Sequence, residues 1–114
     1  MGIQGEIMKY IAHRGKTIDV LENTVEAFIA AGQDPHFEGI ECDVRTSSDE
    51  EFIIFHDEST KRLSDKKQLI ADLTYDEIKN LTLYDKKKRT YAIPHLVEFL
   101  DICKTYNKQP ILEI

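Results

Sequence analysis

Cysteine is scarce in this chain, and acid outnumbers base. Only Cys42 and Cys103 are present, and they form no CxxC or zinc-ligand spacing. Each falls in an apolar pattern, so they read as buried, reduced thiols of a cytoplasmic protein and not as a disulfide frame. The formal charge of -6 argues against a general nucleic-acid binder, which needs a basic face. No apolar run is long enough to insert stably in a membrane. Residues 1–7 lack the basic-then-apolar order of a signal peptide, and Glu6 stands where a myristoylation motif requires Ser or Thr. P-loop, GxGxxG and GxSxG patterns are missing, which removes support for phosphate-loop, dinucleotide and serine-hydrolase readings. There is no repeat, low-complexity tract or linker.

What is present is one small domain's worth of chain: 114 residues, 41% hydrophobic, enough for a modest core. Residues 1–8 read as an extension and 9–114 as the domain. Four short apolar runs end in, or carry, polar residues. Tyr10-Ile11-Ala12-His13-Arg14-Gly15 stops in an imidazole, a guanidinium and a glycine. Ile40-Glu41-Cys42-Asp43-Val44 sets two carboxylates on an apolar strand. Phe52-Ile53-Ile54-Phe55-His56-Asp57 closes on a His-Asp pair, and Ile111-Leu112-Glu113-Ile114 carries one acid. Strand ends that gather histidines and carboxylates point to a metal-assisted hydrolase site.

Between these strands lie helix signals. Asn23 with Glu26 has capping-box spacing, with Thr24 as the rival cap, and Val25, Phe28 and Ile29 follow at helical spacing up to Gly32. Turn-like 46–50 joins the second and third strands, as a hairpin more readily than a helical crossover. Residues 58–72 read as a loop or small insertion. Thr74 and Glu77 form a second capping box, flanked by Leu73 and Ile78 as a hydrophobic staple. A charged loop over 84–92 precedes a helix opened by Pro94, with Leu96, Val97, Leu100 and Cys103 as its apolar face. Apolar strands separated by amphipathic helices predict an α/β fold with parallel pairing.

The candidate site residues each have two readings. Glu41 and Asp43, at i and i+2 of a strand, point the same way about 7 Å apart. They either share a hard divalent cation or line an exposed edge paired with Lys or Arg. His13 and His56 are an acid–base pair across a phosphate or two structural histidines. Arg14 forks onto phosphate or pairs with Glu41 or Asp43. Glu113 alone says little, and Asn23 reads first as a cap. His36 and His95 are assigned no chemistry. The run Lys86-Lys87-Lys88-Arg89 is a solvated loop or a patch that attracts anionic substrate.

Taken in order, Ile11-Ala12-His13-Arg14-Gly15, Glu22-Asn23-Thr24 with Ala27-Phe28, Glu41-Cys42-Asp43-Val44, His56-Asp57, Ile93-Pro94-His95-Leu96 and Ile111-Leu112-Glu113-Ile114 closely resemble the glycerophosphodiester phosphodiesterase family. The resemblance runs from about Tyr10 to the end. It implies the N-terminal portion of a (β/α)8 TIM-type barrel of the phospholipase-C-like phosphodiesterase superfamily, with a small insertion over 58–93 after the second histidine. It implies hydrolysis of a small-molecule glycerophosphodiester to sn-glycerol 3-phosphate and an alcohol, in lipid metabolism. By the same resemblance Glu41, Asp43 and Glu113 bind Mg2+ or Ca2+, His13 and His56 are the acid–base pair, and Arg14 contacts phosphate.

The departures are also specific. A complete barrel needs about 250 residues, and Ile114 is followed by no lysine where the family has an E-x-K pattern. Asp49-Glu50 replaces a frequent Asp-Gly. The chain therefore reads as an N-terminal half whose open edges are expected to meet another copy, giving a homo-oligomer, or a missing C-terminal half. Two other readings stay open. One is a truncated, non-catalytic fragment that binds metal or phosphate. The other is a sphingomyelinase D-like phospholipase, which the cysteine positions and the missing signal disfavour.

Overall fold

The computed structural model describes residues 10–114, so the expected extension over 1–8 lies outside the described residues. The elements run β1 (Tyr10–His13), α1 (Val25–Gly32), β2 (Phe37–Thr46), β3 (Phe52–Ile54), α2 (Tyr75–Lys79), β4 (Leu83–Tyr84), β5 (Thr90–Tyr91), α3 (Leu96–Thr105) and β6 (Gln109–Glu113). A single 3-10 turn, Ile70–Asp72, interrupts the long connection before α2. β2 is central. It pairs in parallel with β1 and with β6, and its last three residues pair antiparallel with β3. The expected hairpin after β2 is therefore present.

Alternation along β2 separates core from site. Ile40, Cys42 and Val44 turn to one face and are buried with Ala12 of β1. Helices α1 and α3 close over that face through Phe28, Ala31, Phe99 and Cys103, with the Phe28 and Phe99 rings edge to face at 4.7 Å. Helices laid on one side of a parallel sheet are the repeating unit of a barrel. The opposite sheet face carries Glu41 and Asp43, and Gly39 lies in the same row. A Cβ at Gly39 would come within 2.8 Å of the Ile11 side chain, so only glycine lets β1 and β6 side chains close over this point.

A second apolar cluster lies beyond β3. Ile54 belongs to the sheet–helix core, whereas Ile53 and Phe55 point the other way and join Ile70, Leu73, Ile78, Leu83, Tyr91 and Ile93. One strand thus divides two cores by its period of two. Thr74 and Glu77 form the expected capping box at α2, and Leu73 and Ile78 of the staple are both buried there.

Four expectations are corrected. The cap of α1 is Thr24, whose Oγ1 accepts from the Ala27 amide at 3.2 Å. Asn23 has a left-handed φ of 53° and spends its side chain elsewhere. Pro94 does not open α3. Its carbonyl accepts from the Ile54 amide at 2.9 Å, which keeps it extended, and His95 caps the helix in a capping box with Glu98. The buried face of α3 is Phe99 and Cys103, with Leu96 and Ile102 partly covered, while Val97 and Leu100 are exposed. Finally, the charged 84–92 loop contains the β4–β5 hairpin, paired Leu83 to Tyr91 and Tyr84 to Thr90. Two paired residues per arm were too short a pattern to announce it.

Candidate active site

The site begins where β1 ends. Arg14 and Gly15 take successive left-handed conformations, φ 58° and 86°. A side chain at Gly15 would strike Ala27 of α1 at 2.7 Å. This tight corner turns the chain out of the sheet at Arg14, directly after His13, and returns the backbone to the start of α1. The Arg14 carbonyl accepts from the Asn23 amide at 2.9 Å, and the Lys16 amide donates to the Ala27 carbonyl at 2.9 Å.

In register, His13 stands beside Glu41, and Asp43 beside Glu113. His13, Glu41, Asp43 and Glu113 therefore belong to one face of three parallel strands. His13 Nε2 lies 4.0 Å from Glu41 Oε1, and the imidazole is 71% exposed. Glu41 Oε1 accepts from the Arg14 amide at 3.1 Å. Burial pushes the Glu41 carboxyl above its ordinary value and the neighbouring Asp43 charge adds to this, against the opposing amide hydrogen bond.

Asp43 is the most tightly held acid. Asn23 Nδ2 donates to its Oδ2 at 2.9 Å, and the Asp43 amide donates to Asn23 Oδ1 at 3.3 Å. Arg14 Nε lies 3.0 Å from the same Oδ2. That distance makes an ion pair, but the N–H is poorly aligned, so this buried nitrogen has no hydrogen-bond partner. Arg14 thus adopts the pairing with Asp43 that its sequence position left open, and its Nη1 also donates to Glu22 Oε2 at 3.1 Å.

Glu22 ties this group to the second histidine. Its two oxygens receive Nη1 and Nη2 of Arg62, each at 2.9 Å. Arg62 Nε and Nη2 then reach the Asp57 carboxylate at 2.9 and 3.2 Å, and Asp57 Oδ1 lies 2.8 Å from His56 Nδ1. The Arg62 hydrogen bond, reinforced by His56 against burial, brings the Asp57 carboxyl down to about 2. Burial, with a smaller push from the Asp57 charge, raises Glu22, but Arg62 and then Arg14 outweigh both and leave it low. A carboxylate on Nδ1 fixes the imidazole plane and leaves Nε2 for chemistry. His13 and His56 line separate clefts, and Arg62 lines both.

The sequence-predicted residues are therefore brought together unevenly. His13, Arg14, Glu41 and Asp43 are in one contiguous group. Glu113 is in register with Asp43, yet its side chain is exposed and unpartnered among the described residues. Among those residues no three His, Cys, Asp or Glu side chains stand close enough to share a metal ion. The donor set itself fits a hard divalent cation. All three acids offer oxygens, and Glu41 is held protonation-prone by burial and by Asp43, a charge conflict that a cation relieves. Asn23, Glu22 and Arg62 were not read as site residues from sequence. Asn23 gave a signal, read as a helix cap with Thr24 as its rival, whereas Arg62 gave none, being 40 residues from Glu22.

The chain is similar to known proteins in sequence and in fold. A sequence profile described as the Glycerophosphoryl diester phosphodiesterase family matches residues 13–113. A glycerophosphodiester phosphodiesterase of Caldanaerobacter subterraneus subsp. tengcongensis is 36% identical over 95 residues, covering 81% of this chain and 39% of that protein. One from Bacillus altitudinis is 39% identical over 101 residues, again covering 82% and 39%. An Oleispira antarctica phosphodiesterase solved with the product sn-glycerol-3-phosphate superposes with a TM-score of 0.83 at 30% identity, covering 95% of this chain and 44% of that one. A glycerophosphodiester phosphodiesterase of Thermotoga maritima gives 0.76 at 32%, covering 95% and 43%. The chain thus spans about two fifths of the length of these four relatives, and its fold is part of the barrel that those structures share.

Proposed function

The chain belongs to the glycerophosphoryl diester phosphodiesterase family, and we propose that it carries the acid–base and metal-binding part of a site that hydrolyses glycerophosphodiesters to sn-glycerol 3-phosphate and an alcohol. The observation that carries this is the register: His13 beside Glu41 and Asp43 beside Glu113, on one sheet face at the strand C-termini. Glu41, Asp43 and Glu113 would hold the divalent metal, Mg2+ or Ca2+. When bound, it would supply positive charge against the developing negative charge of the phosphate oxygens.

The chain's own groups account for the remainder. Arg14 contacts phosphate, using a guanidinium already turned into the site by its left-handed backbone. His13 and His56 divide the proton transfers, one taking a proton from the attacking hydroxyl or water and the other giving one to the leaving alcohol. His56 is the better oriented of the two, through Asp57 and Arg62. The 58–93 segment, as an insertion in a domain over 9–114, walls the cleft that holds His13.

Burial of both thiols, Cys103 being pushed up to about 11 by desolvation, supports a reducing, cytoplasmic setting. No helix among the described residues is long and apolar enough to cross a membrane. Exposed Ile11 and Leu112 on the outer strands support an oligomer or a further chain against this sheet, and sedimentation at micromolar concentration as a well-folded monomer would oppose that.

The test is release of glycerol 3-phosphate from glycerophosphocholine by the 114-residue chain, with Mg2+, Ca2+ or chelator, beside His13→Ala. Turnover that requires both metal and His13 supports the reading. Metal binding that is lost in Glu41→Ala, without turnover, would reduce the function of this chain to binding. Neither turnover nor metal binding would overturn it.

A further inference from the structure

The cleft that holds His13 and Arg14 has a volume of about 780 Å3, and its far wall is the β4–β5 hairpin with Tyr84, Lys86, Lys87 and Arg89. Although the chain is acidic overall, this cleft is lined by five Lys and Arg against three Asp and Glu. Three of the five cations have carboxylate partners. Arg14 pairs with Glu22 and Asp43, Arg62 with Glu22 and Asp57, and Arg89 with Asp85. Lys86 and Lys87 have no side-chain partner among the described residues.

Those two ammonium groups do not sit on a loose loop. Asp85 Oδ1 accepts from the amides of Lys87 and Arg89, both at 2.9 Å. Its Oδ2 accepts from Arg89 Nε and from the Tyr91 hydroxyl, both at 2.8 Å. Arg89 Nη2 also donates to the Asp19 carbonyl, which pins the hairpin to the loop after β1 on the near side of the cleft. A single carboxylate therefore organises the turn and presents two positive charges on the wall of the cleft that holds His13 and Arg14. Close opposite charges in a cleft walled by protein attract more strongly than on open surface.

We propose that Lys86 and Lys87 form a subsite for an anionic group on the alcohol moiety of the diester, so that the preferred substrates are glycerophosphodiesters whose alcohol bears a second phosphate or a carboxylate. This rests on the phosphodiesterase reading above and deepens it. The glycerol side of every such substrate is uncharged, so two unpaired cations discriminate only among alcohols.

The experiment compares two diesters by calorimetry in Mg2+ and then by turnover: one whose alcohol is glycerol 3-phosphate, which is bis-anionic in carrying two anionic groups, the diester and a monoester of charge about -2, and glycerophosphocholine, which is zwitterionic. The chain is used as wild type, as Lys86→Ala/Lys87→Ala and as Lys86→Glu/Lys87→Glu. All these positions are exposed, so the fold is retained. The wild type is expected to bind the bis-anionic diester about tenfold more tightly, from two partly exposed ion pairs. That preference should vanish in the alanine pair, invert in the glutamate pair, and collapse in about 1 M salt, where the Debye length is about 3 Å. Glycerophosphocholine binding should be unchanged by the alanine pair. Equal affinity for both diesters, or a preference that the alanine pair retains, overturns the subsite while leaving the hydrolase reading intact. A lysine-dependent preference without turnover keeps the subsite and sinks the hydrolase reading. Binding of neither diester overturns both.

Discussion

The sheet–helix layer and the 58–93 lobe are of similar apolar content but are held by different means. In the layer, Phe28, Ile40 and Phe99 are buried by periodic strands and helices that interlock across three parallel strands. In the lobe, Ile70, Ile78, Leu83 and Tyr91 come from a 3-10 turn, a five-residue helix and a two-rung hairpin, none of which is stable alone. The lobe is fixed by side chains instead. Arg62 bridges Glu22 and Asp57, Asp85 gathers its own turn, and Glu77 closes a capping box on Thr74. Periodic packing supplies a platform. Specific polar contacts attach a wall to it, and the candidate site lies at the joint.

The largest way to break this contrast is to cut each core. Phe99→Ala is expected to cost about 3–5 kcal/mol and Ile78→Ala about 2–5 kcal/mol. The distinguishing measurement is native-state hydrogen exchange. Phe99→Ala should lower protection throughout β1, β2 and β6, whereas Ile78→Ala should expose 58–93 and spare the sheet. Uniform loss in both would show that the two cores melt as one.

Next in size is the joint at Asn23. Asn23→Gly should cost about 2 kcal/mol, through the hydrogen bond to a buried carboxylate. Asn23→Ala should cost about 1 kcal/mol more, since alanine tolerates φ 53° poorly. Urea midpoints compare them, and equal costs would remove strain from the account.

The tie between lobe and sheet has a pH signature. Because the folded Asp57 carboxyl is depressed from 3.8 to about 2, its contribution is present above pH 3.8 and is lost as pH falls towards 2. Arg62→Ala should flatten that part of the stability curve. Glu41 has the opposite sign. Its raised carboxyl favours the folded state at low pH, and that stability is lost as pH rises through the raised value. Glu41→Gln is therefore expected to raise the melting temperature at neutral pH while abolishing metal binding, by differential scanning calorimetry with and without Mg2+. The smallest effect is expected at Val97, exposed on α3. Val97→Lys should change stability by less than about 0.5 kcal/mol, against the several expected at Phe99 two residues away.

These predictions divide along the line between what could be read and what could not. Alternation along residues 40–44 set Glu41 and Asp43 on one face, and that face is where the structure puts them. The α2 capping box and the β2–β3 hairpin were equally readable, because capping and turn formation depend on residues within a few positions of one another. The α3 face was misread because Leu96, Val97, Leu100 and Cys103 satisfy helical spacing as well as the pair Phe99 and Cys103 does. Only the position of β2 and α1 decides which stripe is covered.

Local pattern by itself determined β1, β2, β3 and β6, the helices and the identity of the polar residues at the strand ends, since each depends on the chain's own period and near neighbours. Tertiary structure alone decided that Glu113 aligns with Asp43, that Asn23 serves Asp43 rather than a helix, and that Arg62 joins Glu22 to Asp57. Those contacts span from 5 to 70 residues, and in most of them the partners meet only after the sheet and the lobe have packed, so no short-range pattern encodes them.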